Sequence, residues 1–211
     1  RVMMGTTLKA QGYRTGLRAS GNLVAIKAPV FSMAKLVGVD TYLGPEMKST
    51  GEVMGIDHKF GPALAKALLA GDMMLPTEGA ILLSIADRDK AEALAIVRKL
   101  DSLHYRLYAT EGTAEMVRAV GLPVTPVAKF QQGPPDIVDL IRDGKVIAVI
   151  NTLTGHRTPL RDGFQIRRAA AEQRIPCFTS LDTARAVVDS LLDGPLNYNV
   201  KPLKDYLNAP I

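Results

Sequence analysis

At 211 residues, with 47% hydrophobic and 22% charged side chains, the chain has the profile of a globular protein of one large domain or one and a half ordinary ones. It holds no apolar run of about 18 residues, which leaves no candidate for a membrane-spanning helix. The net charge of +5 and pI of about 9.4 invite a nucleic-acid reading, but Lys and Arg are scattered among acids, and six Tyr, five Phe and no Trp offer little stacking surface; a basic face or a small-anion pocket is expected instead.

The first residues, "RVMMGTTLKAQG", lack the apolar core of a signal peptide and an initiator Met, so a piece of a longer chain is expected. Up to a division near 71–79 the chain is rich in Gly and Met, without regular alternation. A rhythm then begins. "AILLSI" (80–85) reads as a buried strand, followed by the helical "RDKAEALAIVRKLDSL" with Leu94, Val97 and Leu100 on one face. "RLYA" is a second strand and "AEMVRAV" a second helix, for which Thr113 is the expected N-cap. "PVTPV" (123–127) is a strand held to an edge by its prolines. "DIVDLIRDG" is a helix ended by Gly144, and "KVIAVIN" (145–151) the clearest strand. "DGFQIRRAAAEQR" is helical, with Ile166, Ala169 and Ala170 on one face. "PCFT" is a fifth strand, and "DTARAVVDSLLDG" a helix capped by Asp182, with Ala184, Val187, Val188, Leu191 and Leu192 on one stripe. The final "PLNYNVKPLKDYLNAPI" is a tail, loose or docked. This alternation predicts an α/β fold: a five-stranded, parallel, Rossmann-like sheet with helices on both faces.

Ligands of such sheets bind beyond the carboxyl ends of the strands. There the pattern sets Ser84 and Lys90 after the first strand, Thr110, Gly112 and Thr113 after the second, Lys129 after the third, Asn151, Thr152, Thr154 and Gly155 after the fourth, and Thr179 and Ser180 after the fifth. Each taken alone has a structural reading as a cap or turn residue. Together, hydroxyls, amides, two ammonium groups and a glycine at a helix start suit a phosphate-bearing small molecule. No His, Cys or strand-end carboxylate offers a general base; Glu111 is the one acidic candidate, so binding is favoured over catalysis. His58, His104 and His156 show no metal-ligand spacing, and His156 and Arg157 are expected at the pocket rim. "GDMMLP" suits interface packing. Cys177 stands alone, which suits a reducing, cytoplasmic compartment and packing as a small hydrophobe, with a nucleophilic role the lesser reading.

Several stretches carry a resemblance. "LGPEMKSTGEVMG" (43–55), with "VAIKAPVFSMAKL" before it, resembles the end of the second ATP-grasp half in the large subunit of the carbamoyl-phosphate synthase family. "GAILLSIADRDK", "YATEGTAEMV", "VAKF", "VINTLTG" and "DGFQIRR" resemble that family's C-terminal regulatory domain, which is similar in fold to methylglyoxal synthase. The resemblance covers nearly the whole chain, in order. It implies 1–76 as an α+β ATP-grasp tail, 77–195 as a methylglyoxal-synthase-like allosteric domain and 196–211 as a C-terminal tail. The full enzyme would make carbamoyl phosphate from bicarbonate, two ATP and ammonia from glutamine, for pyrimidine and arginine synthesis.

Carried over residue by residue, the family's nucleotide-phosphate contacts fall on Lys90, Thr110, Thr113, Lys129, Asn151 and Thr152, with UMP as the implied effector. Implied partners are the rest of the large subunit, a glutaminase small subunit and a further copy of the chain, with no nucleic acid and no membrane. ATP and Mg (or Mn) would serve residues upstream of Arg1, so this stretch carries no cofactor or catalytic residue and is expected to be inactive alone, with "STGE" (49–52) supporting the fold. The chain departs from the ornithine-responsive pattern, since Ala28 stands where an acid is expected, and from relatives that sense N-acetylglutamate, since Lys129 stands where an aromatic is expected. A methylglyoxal synthase is the alternative reading, but Ser84 and "NTLTG" take the places of that family's catalytic acids. The purine-pathway cyclase domain shares the "LLS" strand, but "GPEMKSTGEVMG" argues against it. A purely structural domain without an effector is the remaining alternative.

Overall fold

The computed structural model describes residues 1–13, 15–17, 21–32, 40–41, 47–152, 162–192 and 199–207. The expectations for Thr154, Gly155, His156 and Arg157 lie outside them.

Two sheets form. The first pairs β1 (Val24–Val30) and β2 (Gly51–Asp57) antiparallel, from Val24 opposite Asp57 to Val30 opposite Gly51. Helix α1 (Phe60–Ala70) packs on it through Ala63, Ala67 and neighbours. Gly55 permits this, because a Cβ there would stand 1.9 Å from the Ala63 carbonyl oxygen.

The second sheet holds β3 (Ala80–Ser84), β4 (Arg106–Thr110), β5 (Thr125–Val127), β6 (Ala148–Asn151) and β7 (Cys177–Phe178), all parallel, in the order β5-β4-β3-β6-β7. This is the expected five-stranded α/β sheet, and the proline-bearing β5 lies at its edge. Successive residues of β3 serve opposite faces. Ile81 and Leu83 meet the core formed with α2 (Lys90–Ser102), α3 (Glu111–Ala119) and α6 (Leu181–Leu192), while Ala80 and Leu82 meet the core formed with α4 (Ile137–Arg142) and α5 (Asp162–Glu172). Burial on both faces explains why β3 reads as a continuous apolar run.

Three local expectations are corrected. Helix α3 starts at Glu111, not after Thr113, so Thr110 holds the N-cap position without a side-chain cap bond, and Thr113 lies within the first turn. Helix α6 starts at Leu181, so Asp182 is a first-turn acid that accepts from Arg185 at 3.4 Å. The strand in "KVIAVIN" begins only at Ala148; residues 145–147 return the chain from the left-handed Gly144 before Ile147 N–H reaches the Ala80 carbonyl at 2.8 Å. On α2 the buried face is Ala93, Ile96, Val97 and Leu100, with Leu94 at its margin. A capping box starts α4: Asp136 accepts from Val138 and Asp139 N–H, and Asp139 accepts from Asp136 N–H. Burial alone would raise the Asp136 carboxyl, but its three backbone donors hold it below its ordinary value.

The C-terminal helix α7 (Leu203–Leu207) docks on α1. Lys66 donates to the Tyr206 hydroxyl at 2.7 Å and to Asp57 at 2.7 Å, and Tyr206 donates to the Asn199 carbonyl.

Candidate functional site

The chain leaves β3 toward β4 and leaves β6 toward β7, so the strand order reverses between β3 and β6. Beyond the carboxyl ends of that pair lies the crevice where open α/β sheets bind ligands. Ser84 and Asn151, the last residues of the two strands, face each other in register, and Thr152 N–H continues the pairing to the Ser84 carbonyl at 3.1 Å.

The threonines secure the turn that leaves β3. Thr113 Oγ1 accepts from Ile85 N–H at 3.1 Å, and Thr152 Oγ1 from Ala86 N–H at 2.7 Å. Thr110 donates its hydroxyl to Thr113 Oγ1 at 3.2 Å. All three are buried, and together they clamp residues 85–86 from both flanking strands. Sequence reasoning assigned these hydroxyls to a ligand; the structure also gives them this positioning work.

The turn so held carries the site's charge. Residues Asp87–Asp89 form a single 3-10 turn that runs into α2 at Lys90. Lys90 Nζ lies 3.3 Å from where a Cβ on Gly112 would stand, over the first turn of α3. Gly112 therefore leaves open the space that brings an ammonium group to an uncapped helix start, where partial positive charge already collects. Lys129, exposed after β5, acts on the same neighbourhood: the Asp87 carboxyl is held below its ordinary value first by the hydrogen bond and charge of Lys90 and then by the charge of Lys129.

Asp87 was not anticipated. It pairs with Lys90 at 2.7 Å and is otherwise exposed, so a carboxylate already rests on the ammonium. Glu111, the acid singled out from sequence, points away and pairs with Arg118 at 3.0 Å.

Arg167 was also missed as an individual. The motif "DGFQIRR" was noted, yet nothing local shows that this arginine is buried. Its Nη1 donates to Asn151 Oδ1 at 2.9 Å, while Nε and Nη2 grip the Asp40 carboxylate at 2.8 and 2.5 Å. Asn151 thus spends its carbonyl on Arg167, and its Nδ2 donates toward the Ser84 carbonyl at 3.4 Å.

The geometry brings Lys90, Gly112, the Thr110–Thr113 pair, Ser84, Asn151 and Thr152 to one sheet edge. Cys177 lies in β7, and burial pushes its thiol up to about 12, far from a nucleophile's range. A separate cavity of about 430 Å³ opens at the opposite ends of β6 and β7, beside Val146, Ile147 and Pro176. Among the described residues, no group of three His, Cys, Asp or Glu side chains could hold a metal ion, and no helix is long and apolar enough to cross a membrane.

Residues 92–179 match the MGS-like domain family. Over 98% of its length the chain is 52% identical to the carbamoyl phosphate synthase large chain of Thermomicrobium roseum, and it spans 19% of that relative. A methylglyoxal synthase from Elizabethkingia anophelis NUHP1, 20% identical, aligns with 65% of this chain and 95% of its own at a TM-score of 0.45.

Proposed function

As a homologue of part of a carbamoyl phosphate synthase large chain that carries an MGS-like domain, the chain fits a C-terminal segment of such an enzyme, and we propose that it is the regulatory part, which binds a phosphate-bearing effector, UMP, at the switch-point edge. The observation that carries this reading is the Lys90 ammonium poised over Gly112 at the uncapped start of α3. Free N–H groups, helix dipole and ammonium all favour an anion at one place. Lys129 adds charge from the flank, and Thr110, Thr113, Ser84, Asn151 and Thr152 complete the rim.

In this reading residues 1–76 are an ATP-grasp tail, 77–195 the effector domain and 196–211 a C-terminal tail. The whole enzyme, in the cytoplasm, joins bicarbonate and glutamine-derived ammonia at the expense of ATP, for pyrimidine and arginine synthesis. ATP and Mg (or Mn) act upstream of Arg1. The segment alone is inactive and works against the rest of the large subunit, together with a glutaminase small subunit. Apolar side chains left open in the N-terminal part support a covering partner of that kind: Met3, Leu17 and Met47 are 98%, 102% and 86% exposed.

Calorimetric titration with UMP tests the reading. The chain binds, and Lys90→Ala and Lys129→Ala each weaken binding about tenfold or more, since a charge-assisted contact is worth roughly 1.5–3 kcal/mol. No heat with UMP and none with other nucleotides or sugar phosphates removes the reading.

A further inference from the structure

Asp40 and Asn151 lie far apart in the sequence, on opposite sides of the break between the two sheets. One guanidinium joins them. Arg167 is 7% exposed, and the structure assigns each face of its fork: Nε and Nη2 to the Asp40 carboxylate, Nη1 to Asn151 Oδ1. Space is set aside for this. A Cβ on Gly163 would stand 3.0 Å from Arg167 Nη1 and 3.5 Å from Asn151 Oδ1. Because Arg167 donates, Asn151 must present its carbonyl there and turn its N–H groups toward Ser84.

We propose that Asp40, Arg167 and Asn151 form a relay, in which Asp40 fixes Arg167, Arg167 fixes the Asn151 carboxamide, and the affinity of the switch-point edge for phosphate follows. The affinity half of this rests on the effector reading above; the coupling half does not. Arg167 is a positioning residue here, acting through Asn151. A planar fork suits the task, since it holds a carboxylate with two donors and keeps a third for the amide. Coupling is reciprocal: a ligand that favours this Asn151 orientation also tightens the hold on Asp40, so occupancy of the edge is felt at Asp40.

The test uses the 211-residue chain and two variants, the near-isosteric Asp40→Asn and Arg167→Lys, which keeps the charge and removes the fork, with UMP as probe. Each is expected to weaken UMP within the roughly 5- to 150-fold range of such couplings. In an Asn151→Ala background, Asp40→Asn adds no further loss, which a merely structural tether would not produce. A ligand-free readout stands beside this. Thr152 N–H, bonded to the Ser84 carbonyl, exchanges with solvent faster in Asp40→Asn than in the unsubstituted chain, while Leu107 N–H in β4 is unchanged. Wild-type affinity and wild-type Thr152 exchange in both variants overturn the relay, as does an equal loss in the Asn151→Ala background. If the unsubstituted chain binds no phosphate compound, the effector reading falls, and Thr152 exchange alone decides the relay.

Discussion

Thr113→Val separates the two duties of the threonines. Thr113 is 1% exposed, and its Oγ1 accepts from Ile85 N–H at 3.1 Å and from the Thr110 hydroxyl at 3.2 Å. Valine keeps the shape and removes the acceptor. The Thr110 hydroxyl loses its acceptor too, and the Ile85 N–H is fixed by the backbone and buried, so at least that one donor is orphaned. That costs about 1–3 kcal/mol. For a chain of this length each kcal/mol lowers the melting temperature by roughly 2–4 °C, so a drop of about 2–12 °C is expected. Calorimetric melts without any ligand measure it. Thr113→Ser restores the acceptor and gives up only a methyl group, worth about 0.8 kcal/mol, so it should fall less. A valine variant that melts with the unsubstituted chain would refute the reasoning, because the hydroxyl would then carry no structural bond.

Gly55→Ala drives a Cβ to 1.9 Å from the Ala63 carbonyl oxygen and 2.6 Å from Ala67 N, both backbone, so α1 must lift from β2. A loss of about 1–3 kcal/mol or more is expected in urea melts, and an unchanged midpoint would contradict the close packing. The Asp57 carboxyl, which burial would raise, is held below its ordinary 3.8 by Lys66 and the His58 and Lys59 N–H groups. A lowered folded value means that its stabilisation is complete above 3.8 and is lost as pH falls through the folded value, so Asp57→Asn should flatten the acid limb of a stability–pH curve. With its thiol pushed up to about 12, Cys177 should resist iodoacetamide at pH about 8 in the native chain and react in guanidinium.

The legible parts of the fold were those where one local pattern decides the outcome. "AILLSI" is buried on both faces and reads as such; Pro126 in β5 announces an edge. The helix starts were harder. Thr113 looked like a cap because hydroxyls usually serve that way, but the chain turns helical at Glu111, and the hydroxyl is drawn instead to an N–H on β3's exit, 28 positions away. The site residues followed from topology, since parallel strands deliver their ends to one edge whatever the side chains. Asp87 escaped notice because its reach to Lys90 depends on a 3-10 turn that the sequence does not announce. Arg167 escaped because its burial depends on Asp40, 127 positions away, and charged residues are read as surface by default.

The edge residues divide by what they already hold. Thr113, Thr152 and Asn151 are buried and bonded to backbone or to Arg167, so their polar atoms are largely committed to holding 84–86 in place. Among the described residues Lys90 pairs only with an exposed aspartate, and Lys129 is exposed. An exposed ion pair is worth little, so a phosphate with more negative charge can displace Asp87 from Lys90 at small cost. In the proposed effector reading, recognition resides in the lysines and the α3 N–H groups, and shape in the threonines. Changes to the first set should alter affinity and leave the ligand-free fold alone, whereas changes to the second should lower both together.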